Sequence, residues 1–259
     1  MTEAWKARTG MLIGDGGIEK LRASTVAVVG IGGVGAYAAE MIVRAGVGHM
    51  VIVDSDTVSE SNINRQLPAL HSTVGRLKTE VLAERLTDIN PGLDLAVVPE
   101  YLLADSVSPE SGLLSERTAM PEHARKAEDI LGGFDLDFVV DAIDTLSPKI
   151  SLIEYCLGRG IPLVSSMGAG AKYDVTKVRI TDISESFRCP LAFMVRKKLH
   201  KKGIRTGFKA VFSEEAPDER AIVPDEGANK RSIVGTISYL PAVFGCACAQ
   251  AAIGHLLGK

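Results

Sequence analysis

A chain of 259 residues, 46% hydrophobic and 24% charged, has an ordinary globular composition, which excludes a disordered or fibrous protein. A formal net charge of -3 excludes a globally basic nucleic-acid coat, though not a local basic patch. Four cysteines, Cys156, Cys189, Cys246 and Cys248, are too few and too unevenly spaced for a disulfide scaffold.

Residues 1–25 carry Glu3, Lys6, Arg8, Asp15, Glu19, Lys20 and Arg22, with no apolar secretion-signal core, so a reducing cytoplasm is the expected home. Thr25 to Gly30 is a short β-branched run, expected as a strand covered on both faces. Gly30-Ile-Gly-Gly-Val-Gly35 comes directly after it, and residues 36–44 are expected as a helix. A second buried strand spans 49–54 and ends in Asp54. Residues 75–89 place Leu77, Val81, Leu82, Leu86 and Ile89 at helical spacing, and Asn90-Pro91-Gly92 stops that helix. Further strands are expected at 93–99, 136–141 and 161–166, with a helix at 148–157. Such alternation predicts an α/β fold: a mainly parallel sheet with helices on both faces.

The polar stretch 105–133, with Pro109 and Pro121, interrupts the rhythm and is expected as a surface excursion, partly helical. Beyond Gly170 the pattern loosens into a strand at 175–181, a helix at 190–201, a strand at 207–212 and a polar loop at 214–231. From Ser232 to Leu257 there is no Asp, Glu, Lys or Arg, enough to span about 30 Å of hydrocarbon. Thr236, Ser238, Pro241, Gln250 and His255 within it favour a buried C-terminal helix over a membrane span. One domain with an elaborated C-terminal third is expected.

A strand, then Gly30, Gly32, Gly33 and Gly35, then a helix is a nucleotide-binding arrangement. The glycines let the backbone turn tightly and approach phosphates, whose charge sits near the helix N-terminus. Asp54 can accept bonds from ribose hydroxyls. Alone, the motif serves nicotinamide, flavin and ATP enzymes alike. Residues further along the chain narrow the choice: Asp54-Ser-Asp56, then Ser61-Asn62-Ile-Asn64-Arg65-Gln66, Lys78 and Asp141-Ala-Ile-Asp144. A hydride-transfer enzyme needs no such cations. An enzyme that breaks the α–β bond of ATP must stabilise charge on departing pyrophosphate, which suits Arg65 and Lys78. Asp144, just past a strand end, can hold bridging magnesium. Singly, Arg65 could be a surface ion pair, Lys78 a solvated helix residue and Asp144 a helix cap; together with the glycine loop those readings weaken.

On these residues the chain resembles the adenylyltransferase superfamily of ubiquitin-activating enzymes and the ThiF and MoeB proteins, whose fold is Rossmann-like. Within it the likeness is strongest to the branch that cyclises threonylcarbamoyladenosine in tRNA, carried further by Arg8-Thr-Gly-Met-Leu-Ile-Gly14, Gly168-Ala-Gly170, Pro190-Leu-Ala192 and Val211-Phe-Ser213-x-Glu215. The resemblance implies one adenylyltransferase domain over 1–259. Its nucleotide-binding part would cover about 20–170 and its substrate- and tRNA-facing part about 171–259. It also implies ATP and Mg2+ as cofactors. Asp54 would hold the ribose, Asn62, Arg65 and Lys78 the phosphates, and Asp144 the magnesium, with Asp56, Asn64 and Gln66 in the same motif. Arg8 would reach the ATP of a neighbouring subunit, making a homodimer with shared sites. A sulfurtransferase-type protein partner stays open.

Relatives that activate sulfur carriers often bind zinc through two Cys-x-x-Cys pairs, and none occurs here, so zinc is not expected. Cys189 lies where relatives place a thioester-forming cysteine, with Arg188 beside it, but the cyclisation needs no thioester. Residues 186–213 carry Arg188, Arg196, Lys197, Lys198, Lys201, Lys202, Arg205 and Lys209 and no acid, which suggests contact with a tRNA backbone. The nearby Phe187, Phe193, Phe208 and Phe212 alternate with aliphatic neighbours and are expected in the core. The expected reaction adenylates the threonyl carboxylate and closes a five-membered ring through ureido nitrogen, expelling AMP. The rival readings are adenylation of a ubiquitin-like or sulfur-carrier C-terminus and a nicotinamide dehydrogenase.

Overall fold

The computed structural model describes residues 3–104, 124–224 and 232–259, so most of the expected 105–133 excursion and the end of the 214–231 loop lie outside the described residues. A 3-10 turn at Ala4–Lys6 leads into α1 (Ala7–Ala23), β1 (Thr25–Val29), α2 (Gly35–Ala45), β2 (His49–Val53), α3 (Lys78–Ile89) and β3 (Asp94–Val98). The short β4 (Tyr101–Leu102) and β5 (Ala124–Arg125) precede α4 (Ala127–Leu131), β6 (Phe138–Asp141), α5 (Leu146–Arg159) and β7 (Leu163–Ser166). The last third holds β8 (Val178–Asp182), α6 (Pro190–His200), β9 (Lys209–Ser213), β10 (Ile222–Pro224), β11 (Ser232–Val234) and α7 (Tyr239–Leu257).

Seven strands form one sheet in the order β3-β2-β1-β6-β7-β9-β8. Neighbours run parallel except β8, which pairs antiparallel with β9. Alternate residues of one strand serve opposite faces. Val26 and Val28 of β1 pack with Leu21, Ile42, Leu82 and Phe244 from α1, α2, α3 and α7. Ala27 and Val29 pack with Leu131, Leu152 and Val195 from α4, α5 and α6. Both faces are therefore dry, which is why β1 and β2 read as continuous apolar runs. The chain winds outward from β1 to β3 and returns to lay β6 on the other side of β1. That switch point opens a crevice beyond the strand C-termini, where such sheets bind ligands.

Strands β10 and β11 form where a polar loop and the start of the C-terminal helix are expected, that helix beginning only at Tyr239, and two helices also depart from the sequence expectation. No pattern in residues 1–24 suggests α1, because Gly10, Gly14, Gly16 and Gly17 weaken any helical periodicity. The helix forms with a break at Gly14 (φ 76°, ψ 168°) and is anchored by buried Ile18 and Leu21. The helix expected from residue 75 begins at Lys78, since Gly75 takes φ +88° and Leu77 is extended.

Helix α7 is long and apolar enough to cross a membrane by length and composition, yet half of its apolar window is buried in the fold. It lies so close to α2 that a Cβ on Gly245 would stand 2.5 Å from the Val34 carbonyl oxygen and 2.7 Å from Tyr37 Cβ. All four cysteines are free thiols: Cys156, Cys189 and Cys248 are buried and Cys246 is exposed. Burial pushes the Cys156 and Cys248 thiols up to about 12.

Candidate active site

A cleft of about 920 Å3 opens at the C-terminal ends of the central strands. Gly30, Gly32 and Gly33 form one part of its wall. Gly30 takes φ +83°, and a Cβ on Gly35 would stand 1.8 Å from the Gly30 carbonyl oxygen. The loop therefore folds back on itself before α2 begins. Gly35 is off the cleft wall; its part is to let that turn close.

Asp54 stitches two loops together. Its Oδ2 accepts from the Ile31 amide at 2.8 Å and its Oδ1 from the Asp56 amide at 2.8 Å. Burial pushes its carboxyl above the ordinary range, and the Lys78 ammonium opposes that push. Lys78 opens α3 and is only 4% exposed, so it is no solvated helix lysine. Its Nζ donates to Asp56 Oδ2 at 2.7 Å. Asn62 closes a capping box, its Oδ1 accepting from the Ser59 amide at 3.2 Å. Arg65 Nη1 donates to the Ser61 carbonyl at 3.0 Å and to Asn64 Oδ1 at 2.8 Å. Asn64 lies off the cleft wall and spans to the Thr236 carbonyl at 3.0 Å, so its part is to steady Arg65. Gln66 Oε1 is buried with no hydrogen-bond partner among the described residues, an acceptor on the cleft wall suited to a ligand hydroxyl or amino group.

At the end of β6, the carboxylate of Asp141 is wholly buried. It accepts from Lys149 Nζ at 2.7 Å, Ser165 Oγ at 2.6 Å and the Ile143 amide at 3.0 Å. Lys149 Nζ also donates to the Ser166 carbonyl at 3.0 Å. This network fixes the turn that presents Asp144, which is exposed on the cleft. Among the described residues no group of three or more His, Cys, Asp or Glu converges as a metal cage. One exposed carboxylate suits a magnesium ion held chiefly by phosphate oxygens and water.

The far wall comes from residues that sequence reasoning did not assign to the site: Ser166, the Gly168–Lys172 turn, Cys189, Val234 and Pro241. Cys189 is the N-cap residue of α6 and is buried. Lys172, also buried, is the titratable group missed outright.

The remaining candidates lie apart. Arg8 is exposed on α1, outside the cleft. On and after α6, Lys197, Lys198, Lys201, Arg205 and Lys209 are exposed, whereas Arg196 donates to Ser186 Oγ and Lys202 pairs with Glu154 at 2.7 Å. Phe208 and Phe212 are buried as expected, but Phe187 and Phe193 are 44% and 55% exposed. Phe193 falls on the outer face of α6, while Phe187 packs edge-on against Phe212 at 5.6 Å. The expectation of core burial is corrected for those two.

The sequence profile of the ThiF family matches residues 7–259. The tRNA threonylcarbamoyladenosine dehydratase of Bacillus subtilis is 41% identical over 247 residues, covering 92% of this chain and 89% of that protein. The Escherichia coli protein of the same name is 36% identical, covering 100% of this chain and 97% of its own length. The crystal structure of the E. coli enzyme in complex with ATP matches with a TM-score of 0.82 at 31% identity, covering 100% of this chain and 97% of that one.

Proposed function

The chain belongs to the ThiF family, and from that premise we propose that its cleft carries out the ATP-dependent dehydration of threonylcarbamoyladenosine in tRNA. Its full-length relatives carry that activity in their names. The observation that carries the reading is the convergence of Asp54, Arg65, Lys78 and Asp144 on one cleft whose opposite wall comes from the C-terminal third.

Gly30, Gly32 and Gly33 let the backbone approach the phosphates, and Asp54 and Asp56 face the ribose. Gln66 offers an acceptor to the nucleoside, and Asn62, Arg65 and Lys78 hold the phosphates. Asp144 would hold magnesium, which neutralises phosphate charge when bound. The threonyl carboxylate attacks the α-phosphorus and pyrophosphate leaves, its charge met by Arg65 and Lys78. A ureido nitrogen then attacks the activated carbonyl, the ring closes and AMP departs. The net change is loss of water, because AMP is a far better leaving group than hydroxide. Holding both reacting ends in one cleft favours closure over hydrolysis.

A second copy of the chain fits against α1, where Arg8 is accompanied by Met11 and Leu12 at 86% and 81% exposure. From there Arg8 would serve the neighbour's ATP. The exposed Lys197, Lys198, Lys201, Arg205 and Lys209 suit the tRNA backbone, and Arg196 and Lys202 rank behind them because they already hold intramolecular partners. Such a reaction belongs in the cytoplasm, with its tRNA and ATP.

The test is incubation with ATP and bulk tRNA bearing the linear nucleoside, read by mass spectrometry. Loss of one water is expected. Arg65→Ala and Asp144→Ala should each remain folded and lose AMP formation by about 10²-fold or more. Near-normal turnover in either folded variant would refute its assigned role, and an unchanged nucleoside with the native enzyme would refute the activity.

A further inference from the structure

Resting on the dehydratase reading, we propose that Lys172 is a catalytic residue of the second step, the base that takes the proton from the ureido nitrogen as the ring closes.

The sheet order says where such a base must stand. Asp54, at the end of β2, faces the nucleoside, and the glycine loop after β1 lies under the phosphates. Next come the end of β6, with Asp144, and the end of β7, which leads to Lys172. A carboxylate in line with the α-phosphorus therefore lies over β6 and β7. Of the titratable groups lining that end beyond Asp144, the cleft offers Lys172 and Cys189. Arg65 cannot accept a proton, and Lys78 is committed to the phosphate side.

Lys172 is held with unusual care. The residue before it, Ala171, takes φ 58°, a left-handed conformation that costs a non-glycine residue about 1–2 kcal/mol. Two bonds clamp it: the Ala171 amide donates to the Gly235 carbonyl at 2.8 Å, and its own carbonyl accepts from the Asp218 amide at 2.8 Å. The Lys172 side chain is 3% exposed, and Nζ donates to the Ser213 carbonyl at 3.1 Å. Glu215 is fixed nearby by the Tyr173 and Asp174 amides at 2.9 and 2.7 Å. Burial lowers the ammonium below the usual lysine range, against the opposing pull of Cys189 and Glu215. A strained backbone that holds a buried lysine in the cleft wall is an arrangement suited to a proton acceptor.

The step balances. Only the ureido nitrogen joined to the purine closes a five-membered ring; the nearer one would give a three-membered ring. That nitrogen bonds to the acyl carbon while its proton passes to neutral Nζ. The bond from acyl carbon to phosphate oxygen breaks, and its electron pair leaves with AMP. The resulting ammonium returns its proton to water.

Two variants separate this role from a structural one. Lys172→Arg and Lys172→Gln both keep a donor for the Ser213 carbonyl, and neither supplies an amine base. In each, ATP–pyrophosphate exchange dependent on the modified tRNA should stay within about twofold of the native rate, while the cyclised nucleoside falls about 10²-fold. AMP should then accumulate in large excess over cyclised product, as the trapped adenylate hydrolyses. Cyclisation at native stoichiometry in either variant overturns the proposal. So does parallel loss of exchange and cyclisation in both, which would place Lys172 in the first step or in the fold. Absence of exchange in the native enzyme would instead sink the dehydratase reading itself.

Discussion

Lys149 occupies a position where helix α5 would otherwise bury an apolar side chain. Leu146, Leu152, Ile153 and Cys156 lie on its stripe, and its ammonium is fully enclosed with Asp141. Such a pair adds little net stability over an apolar substitute, but removing one partner strands the other. Lys149→Met should therefore cost about 3–5 kcal/mol, read as a lower urea midpoint. The interruption of an apolar stripe by one lysine, eight residues after Asp141, is a signal that the sequence does carry. Lys172 leaves no comparable trace, since its placement depends on Ala171 taking a conformation that alanine does not advertise. By contrast, Arg65, Lys78 and Asp144 are legible because their chemistry only makes sense jointly with the glycine loop. All three line one cleft. Phe193 misleads because alternation with aliphatic neighbours says nothing about which face of a helix meets solvent.

At the level of elements, the β1–loop–α2 unit is legible in full: an apolar run, glycines, then an alanine-rich helix. Helix α1 is not, because four glycines hide a helix whose anchors are the buried Ile18 and Leu21, the latter packed into the core beside β1. The α2–α7 contact is equally hidden, although its requirement is simple. Gly245 sits where any side chain meets the Val34 carbonyl, and that oxygen cannot swing aside as a flexible side chain would. Gly245→Val should force α7 off α2 and destabilise the protein by about 1–3 kcal/mol, or more where the helix cannot shift. A thermal melt of the variant beside the native protein checks this, and an unchanged midpoint would contradict the close packing.

For the whole molecule, strand–helix alternation predicts a parallel sheet but carries no information on strand order. Yet the order brings the glycine loop, Asp144 and Lys172 into one crevice. It also sets α6 at the rim: Cys189, Pro190 and Leu191 line the cleft, and Lys197 and Lys198 continue outward along the same helix, with Lys201 just past its end. A strand of RNA entering the cleft would track that line. Replacing the three lysines with glutamate should weaken tRNA binding at all sequences and reduce the slope of log affinity against log salt by about three, while ATP binding is unchanged. Filter binding across a salt series measures both, and an unaltered slope would remove α6 from the interface.

The burial of three thiols beside one exposed Cys246 has a practical side. A maleimide dye added at neutral pH has one address on the native fold, on the outer side of α7 and off the cleft wall. The protein can thus carry a single fluorophore, and the predicted binding of added tRNA can be tested molecule by molecule without first engineering any cysteine away.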